Sequence, residues 1–272
     1  MSSALAASCQ TNGLRGIYNM GATCFMSVIL QSFIMNPVLR KHYLNDGHPP
    51  STCLIENCIS CCMDELYQNF YIKDGVDGYA AANILAASWS MQDAAFSGLV
   101  GNEEQDAHEY FQFLVEALHK TAKNILPSTE GDDRTESQKL KSAADCDCIV
   151  HRTFYGKSQS VVTCQKCFNE TSSVEPFLDL SLGLDAIVKK GTNGTKRDRN
   201  GDPLASKAVP LTLQRCLDEE YKLPERCEYT CRKCESRQDA RKQLSINRLP
   251  NVLCLQFKVR DDSGLFFLKN QD

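Results

Sequence analysis

A thiol and an amide lie close together near the start of the chain, Cys24 and Asn19, within GLRGIYNMGATCFMSVILQSFIMNP (residues 13–37). A polar turn with two glycines, Gly16 and Gly21, runs into an apolar segment, and Thr23 and Cys24 sit at the junction. Phe25, Met26, Val28, Ile29, Leu30, Phe33 and Ile34 make that segment apolar nearly all round, the pattern of a helix buried inside a domain. Asn36-Pro37 stops it, because the residue before proline is pushed out of helical geometry. Cys24 therefore opens a helix, where free N–H groups and the positive end of the dipole favour a thiolate. Asn19, in the turn, offers an amide N–H toward the same spot. A nucleophile beside a donor for a developing oxyanion is what acyl transfer needs. The competing reading is a small core residue, the usual role of a buried cysteine.

The chain carries fifteen cysteines and five histidines, and they are grouped. His48, Cys53, Cys58 and Cys61 end in a C-x-x-C spacing, with Cys62 adjacent and open as the alternative to Cys61. Three thiolates and an imidazole suit tetrahedral zinc, against a loop of unrelated thiols. Cys146, Cys148 and His151 follow C-x-C-x-x-H and want a fourth ligand, for which His119 is the nearest unassigned histidine. The alternative there is a solvated cluster without metal. Cys164 with Cys167 and Cys231 with Cys234 form two C-x-x-C units between strands, the layout of a zinc ribbon with a structural ion. Neither pair starts a helix, which argues against redox use.

Other elements are expected to position these groups. Residues 63–90 read as helical, with Trp89 the only tryptophan. Residues 103–120, EEQDAHEYFQFLVEALHK, are amphipathic, with Asn102 as a candidate cap and Glu103, Glu104 and Asp106 suiting the positive end. Residues 127–145 are a polar, flexible loop and 189–208 a disordered insertion. Strands are expected over 155–163, 174–184, 242–246 and 252–257, and a short helix over 211–221. A net charge of −4 does not suggest nucleic-acid binding. No apolar run approaches the ~20 residues of a membrane span. Residues 1–12 read as a disordered leader without a secretory signal, so the thiols are expected in a reducing compartment.

The stretch GLRGIYNMGATCFMSVILQSF resembles the cysteine box of the ubiquitin-specific proteases, papain-like enzymes that cleave ubiquitin from proteins. The resemblance runs from about Gly13 to Lys258 and is strongest to the fungal type found in the SAGA coactivator, which carries zinc sites similar to the first two clusters. It implies an α+β, papain-like fold: a helical thumb over 13–126, zinc-ribbon β fingers with part of the palm over 146–258. It implies Cys24 as nucleophile and Asn19 as oxyanion donor. Gln105 and Asp106, in the QDAHEY motif, are implied to bind the extended ubiquitin tail; on the residues alone, Asp106 reads as a helix start. Structural zinc is the implied cofactor. Ubiquitin, a ubiquitinated histone and the subunits of the SAGA deubiquitinating module are the implied partners, in the nucleus, with no direct nucleic-acid or membrane binding.

After LPNVLCLQFK the resemblance is expected to stop, leaving 259–272 as a tail outside the family. The family's second box supplies a histidine and an orienting Asp or Asn, but His42, His48, His108, His119 and His151 all precede Lys258. Losing one member of such a catalytic unit costs several orders of magnitude in rate. The expectation is an impaired thiol-dependent deubiquitinase, a truncated product broken at Val259 without the N-terminal zinc finger that docks such enzymes. The alternatives are a catalytically inactive ubiquitin- or complex-binding fragment, and a zinc-rich structural module unconnected to ubiquitin.

Overall fold

Phe25, Met26, Leu30, Phe33 and Ile34 recur at helical spacing and become the buried side of α1, Cys24–Met35. Asn36 and Pro37 end this helix and also start the next, α2, Pro37–Asn45. The Asn36 side-chain oxygen accepts from Val38 N at 2.9 Å and Leu39 N at 3.2 Å, while proline at the first helical position has no N–H to leave orphaned. The last carbonyls of α1 would lack partners inside a core. α3, Ile59–Tyr71, supplies them. Tyr67 Oη donates to Phe33 O at 2.5 Å and Tyr71 Oη to Ile34 O at 2.8 Å. Tyr43 of α2 stacks on Tyr67 at 4.7 Å between ring centroids and closes the three-helix joint.

The computed structural model describes residues 15–45, 47–48, 50–72, 78–91, 105–125, 146–183, 212–222 and 224–258. The expected leader (1–12), Asn102, Glu103 and Glu104, the loop at 127–145, the insertion at 189–208 and the tail at 259–272 lie outside the described residues. The chain divides into two compact units, Met1–Thr153 and Phe154–Asp272. Residues 146–153, placed with the fingers and part of the palm from sequence, fall in the first unit.

The first unit adds α4, Ala82–Ser90, and α5, Ala107–Ile125. A short helix, α6, Ile149–Phe154, ends at the boundary. α5 lies along α1, with Phe25 meeting Tyr110 edge-on at 5.3 Å and Phe33 meeting Phe111 at 6.1 Å. The Ser60 and Thr121 hydroxyls, 2.5 Å apart, join α3 to α5. The helical stretch 63–90 falls in two helices, α3 and α4, with Tyr79 between them in an isolated bridge to Ile17. The helix expected over 103–120 begins at Ala107, because the Asp106 carboxylate accepts from His108 N at 2.7 Å and caps it. Burial all round α1 is not what forms: Cys24, Val28, Ser32 and Met35 make an exposed stripe on one side. Composition could not reveal this, since isolated apolar residues are common on surfaces. Among the described residues no helix is long and apolar enough to cross a membrane.

In the second unit, the strands are β1, Gly156–Cys164; β2, Glu170–Phe177; β3, Asp179–Gly183; β4, Glu225–Cys231; β5, Ser236–Arg248; and β6, Cys254–Lys258. Four of them form an antiparallel sheet in the order β2-β1-β5-β4. Although β2 and β4 are its outer strands, Thr171 Oγ1 and Tyr229 Oη lie 2.8 Å apart, so the sheet curls until its edges meet at that level. Glycine is required at 156, where a Cβ would run into the Phe177 ring and stand 2.8 Å from Arg248 O. The single strand expected over 174–184 is broken at Leu178: β2 stays in the large sheet, and β3 pairs in parallel with β6. Leu182 and Cys216 of α7, Leu213–Tyr221, are buried together against Leu217 and Leu255.

Two substitutions test this account of the helical unit. Leu30→Ala, at a fully buried site, is expected to cost about 2–5 kcal/mol by leaving a cavity. Asn36→Ala should cost about 1 kcal/mol as a lost cap. Denaturant midpoints measured at unchanged slope read both.

Candidate active site and metal centres

The segment before Cys24 is pinned from several sides. Tyr79 N donates to Gly16 O at 2.8 Å and Tyr18 N to Tyr79 O at 2.9 Å. The Arg15 guanidinium donates to Asn69 O at 3.1 Å, and Gln31 Nε2 of α1 donates to Arg15 O at 3.0 Å. The turn then bends sharply: Gly21 has φ 97° and Ala22 φ 49°. A left-handed alanine costs about 1–2 kcal/mol, a cost the surrounding bonds must hold. Asn19 Oδ1 accepts from Gly21 N at 3.1 Å, Thr23 N at 3.2 Å and the Thr23 hydroxyl at 3.1 Å. Thr23 O accepts the first helical bond, from Ser27 N at 3.0 Å. Cys24 follows as the first residue of α1, with its thiol exposed. An accessible sulfur at the positive mouth of a helix, beside a tethered amide, has the parts for attack on a carbonyl.

Gln105 is half-buried and Asp106 exposed just before α5. The Asp106 carboxylate is engaged in capping through His108 N, the role its position alone suggests. Tyr79 and Thr23 were missed as site-shaping residues. The sequence places Thr23 at the junction but gives it no role, and Tyr79, fifty-five positions beyond Cys24, has no local pattern to mark it.

Three groups of four cysteines and histidines converge, and in each the potential ligand atoms all lie within 4.8 Å of one another. Donors about 2.3 Å from a tetrahedral ion stand roughly 3.8 Å apart, so the groups are near ligation size and can hold a metal ion. The first is His48, Cys53, Cys58 and Cys61. His48 Nε2 lies 3.5 Å from Cys58 Sγ, and the His48 N–H is held by Asp64 at 3.3 Å. Geometry decides between the adjacent thiols: Cys62 Sγ turns away to Asn83 O at 3.6 Å. Burial and then Glu65 push the Cys62 thiol up to about 11. Burial also raises Cys61, and its crowding by Cys53 and Cys58 adds to this. Burial opposes ionisation of Cys53 too, but the Ile55 N–H and the neighbouring thiols bring it below the usual thiol range.

The second group is His119, Cys146, Cys148 and His151. Cys148 Sγ stands 3.4 Å from His119 Nδ1 and 3.1 Å from His151 Nδ1, and Cys146 Sγ is 3.7 Å from His119 Nδ1. Burial pushes Cys148 up to about 11. These contacts tie α5 to the start of α6 within the helical unit.

The third group, Cys164, Cys167, Cys231 and Cys234, joins the β1–β2 and β4–β5 turns. Cys167 and Cys231 sulfurs are 3.5 Å apart. Each turn has a left-handed residue directly after its second cysteine, Phe168 (φ 56°) and Glu235 (φ 53°), which folds the chain back into the next strand. The Cys167 and Lys166 N–H groups aim at Cys164 and lower it to about 7. Hydrogen bonding to Cys167, with burial and Cys231, raises Cys234 to about 12. A bound cation would override this sharing of protons and ionise the set.

A helical unit with a thiol at a helix mouth, and a β unit clasped by paired C-x-x-C turns, define the α+β fold of the ubiquitin-specific proteases. The chain belongs to the ubiquitin carboxyl-terminal hydrolase family, whose profile matches residues 15–270. It is 33% identical over 251 residues to the probable ubiquitin carboxyl-terminal hydrolase 8 of Schizosaccharomyces pombe, covering 92% of this chain and 46% of the relative. It is 33% identical over 264 residues to ubiquitin carboxyl-terminal hydrolase 8 of Saccharomyces cerevisiae, covering 91% and 49%. To the human ubiquitin carboxyl-terminal hydrolase 22 it is 32% identical over 262 residues, covering 93% and 47%. The chain thus spans about half the length of the curated relatives it matches. Among solved structures it is similar to the SAGA Ubp8/Sgf11/Sus1/Sgf73 DUB module bound to ubiquitin aldehyde, with TM-score 0.67, 30% identity, and coverage of 94% of this chain and 50% of that one. A structure of that module bound to monoubiquitin gives TM-score 0.65 at 30% identity, covering 92% and 49%.

Metal analysis of the folded chain should return three ions, one per group. Cys231→Ser is expected to remove one of them and to unfold the β unit while leaving helical circular dichroism largely intact. Since uptake displaces thiol protons, retention should weaken as pH falls, measured by chelator competition across a pH series.

Proposed function

We propose that the chain serves in thiol-dependent hydrolysis of the bond between the ubiquitin C-terminus and a lysine. The observation that carries this is the exposed Cys24 thiol at the first position of α1, inside a family match covering residues 15–270. Cys24 attacks the carbonyl carbon, and the Asn19 amide donates to the oxygen as it gains charge. Gln105 and Asp106 bind the extended tail of ubiquitin, with Asp106 doing so in addition to capping α5. The three cysteine and histidine groups hold zinc, which organises the fold and takes no part in the chemistry. Similarity to a SAGA DUB module bound to ubiquitin supports a place beside deubiquitinating-module subunits, and the proposal extends to the nucleus and to a ubiquitinated histone as substrate.

A second reading is favoured by the histidines. His48, His119 and His151 belong to metal groups, His42 packs against Tyr43 at 5.1 Å and His108 near Phe111 at 6.4 Å. Among the described residues none of these histidines hydrogen-bonds to Cys24. In this reading the chain binds ubiquitin, or complex subunits, without cleaving.

Ubiquitin carrying a C-terminal electrophile separates the two. Rapid labelling that Cys24→Ser abolishes supports the hydrolase. Measurable ubiquitin affinity with labelling slower by a factor of about 10³ or more supports the binder. Metal retention without any ubiquitin affinity would refute both.

A further inference from the structure

The orientation of the Asn19 amide is dictated chemically. Two of the three groups meeting its Oδ1 are backbone N–H groups, of Gly21 and Thr23, which donate and cannot accept. An amide nitrogen in that position would oppose both, so the oxygen must occupy it and the NH₂ must face away. Asn19 is exposed, and among the described residues its Nδ2 has no hydrogen-bond partner. The third group is the Thr23 hydroxyl, 3.1 Å from Oδ1. That hydroxyl accepts from Met20 N at 3.0 Å, which leaves its own hydrogen for Asn19. Thr23 is 4% exposed, whereas Asn19 and Cys24 on either side of it face solvent. A buried threonine thus ties together the backbone at 20, the amide at 19 and the residue that precedes the thiol. It does so across the two positive-φ residues, Gly21 and Ala22, of which the left-handed alanine carries the strain that would otherwise let the turn relax.

We infer that Thr23 is the positioning residue of this site: its hydroxyl locks the Asn19 amide with the NH₂ outward, so that the donor is set before substrate arrives. The inference rests on the proposed roles of Cys24 and Asn19. Preorganised donors contribute because they need not reorient as charge develops. Without the hydroxyl, Met20 N–H loses its acceptor and Oδ1 keeps only the two backbone donors. The amide keeps its orientation but is held by two bonds instead of three, and it moves more within the turn.

Ubiquitin with a C-terminal aldehyde tests this without relying on turnover. The Cys24 sulfur bonds to the aldehyde carbon, the C=O π pair moves to oxygen, and the thiol proton ends on that oxygen, giving a hemithioacetal whose oxygen sits where the oxyanion would. The readout is the ratio of affinities for ubiquitin aldehyde and ordinary ubiquitin, which divides out general binding. The wild-type chain should prefer the aldehyde. Asn19→Ala should cut that preference by about 100-fold. Thr23→Val, nearly isosteric, should cut it by about tenfold while affinity for ordinary ubiquitin holds, and Thr23→Ser should restore it. A Thr23→Val chain that is folded and keeps the full preference overturns the role of Thr23 and leaves the proposed function standing. A wild-type chain with no preference overturns the roles of Cys24 and Asn19, and this role with them. Should Thr23→Val fail to fold, the side-chain amide resonances of Asn19 in Thr23→Ser and wild type decide: matching, narrow NH₂ signals support the lock, and motional averaging in the wild type refutes it.

Discussion

The β unit depends on a constraint that apolar packing does not supply. Its four-stranded sheet is exposed or half-exposed along most of β2, β4 and β5. The described residues buried there are few: Cys164, Leu180, Leu182, Cys216, Cys231 and Ala240 among them. Two of these are sulfurs of the same group of four. With so little apolar area to offset chain entropy, an ion shared by the two turns would supply the closure that the sheet's packing lacks. The left-handed Phe168 and Glu235 follow from that closure, since each turn must bring two thiols to one point and then reverse.

The helical unit is organised by the opposite economy. Its core is dense, with Met26, Leu30, Ile34, Leu39, Met63, Leu66, Tyr67, Ile84 and Leu114 fully buried. Metal groups here sit at the margins, one at the loop before α3 and one between α5 and α6. With ions bound they would fix segments that the core alone leaves loose. The tyrosines are the subtler device. Tyr67 and Tyr71 bury their rings and spend their hydroxyls on the end of α1, so the helix carrying the thiol is held at its far end by groups that repay their own desolvation.

Much of this was legible from residues alone, and the reasons differ by element. Cysteine spacing is strong information because ligands must converge, and the structure gathers the same three sets of four that the spacing suggested, with Cys61 chosen over Cys62. α1 was legible in extent, through its apolar run and Asn36-Pro37, but not in its open stripe, because Val28 and Met35 look like core residues in a list. The break at Leu178 was hidden by an alternation that continues through it. Whether two consecutive strands share a sheet is set by partners far along the chain. The start of α5 was open in the sequence, where Asn102 reads as a cap and Asp106 as a helix start, and the bond from His108 N to the Asp106 carboxylate shows the capping residue. Thr23 could not be singled out, because its value lies in three bonds made within a turn whose path requires left-handed backbone.

The pairing of β3 with β6 has a consequence for how the chain reaches this state. Ser181 donates to Gln256 at 2.6 Å across a sequence separation of 75, and the whole β4–β5 hairpin intervenes. Synthesis therefore delivers β3 long before its neighbour exists, and its apolar Leu180 and Leu182 must wait. Hairpins clasped by local sulfur ligands can form early, whereas this parallel pair carries the entropy of a long loop and belongs to the late stages of assembly. During that interval the waiting strand is a template for any other extended segment nearby.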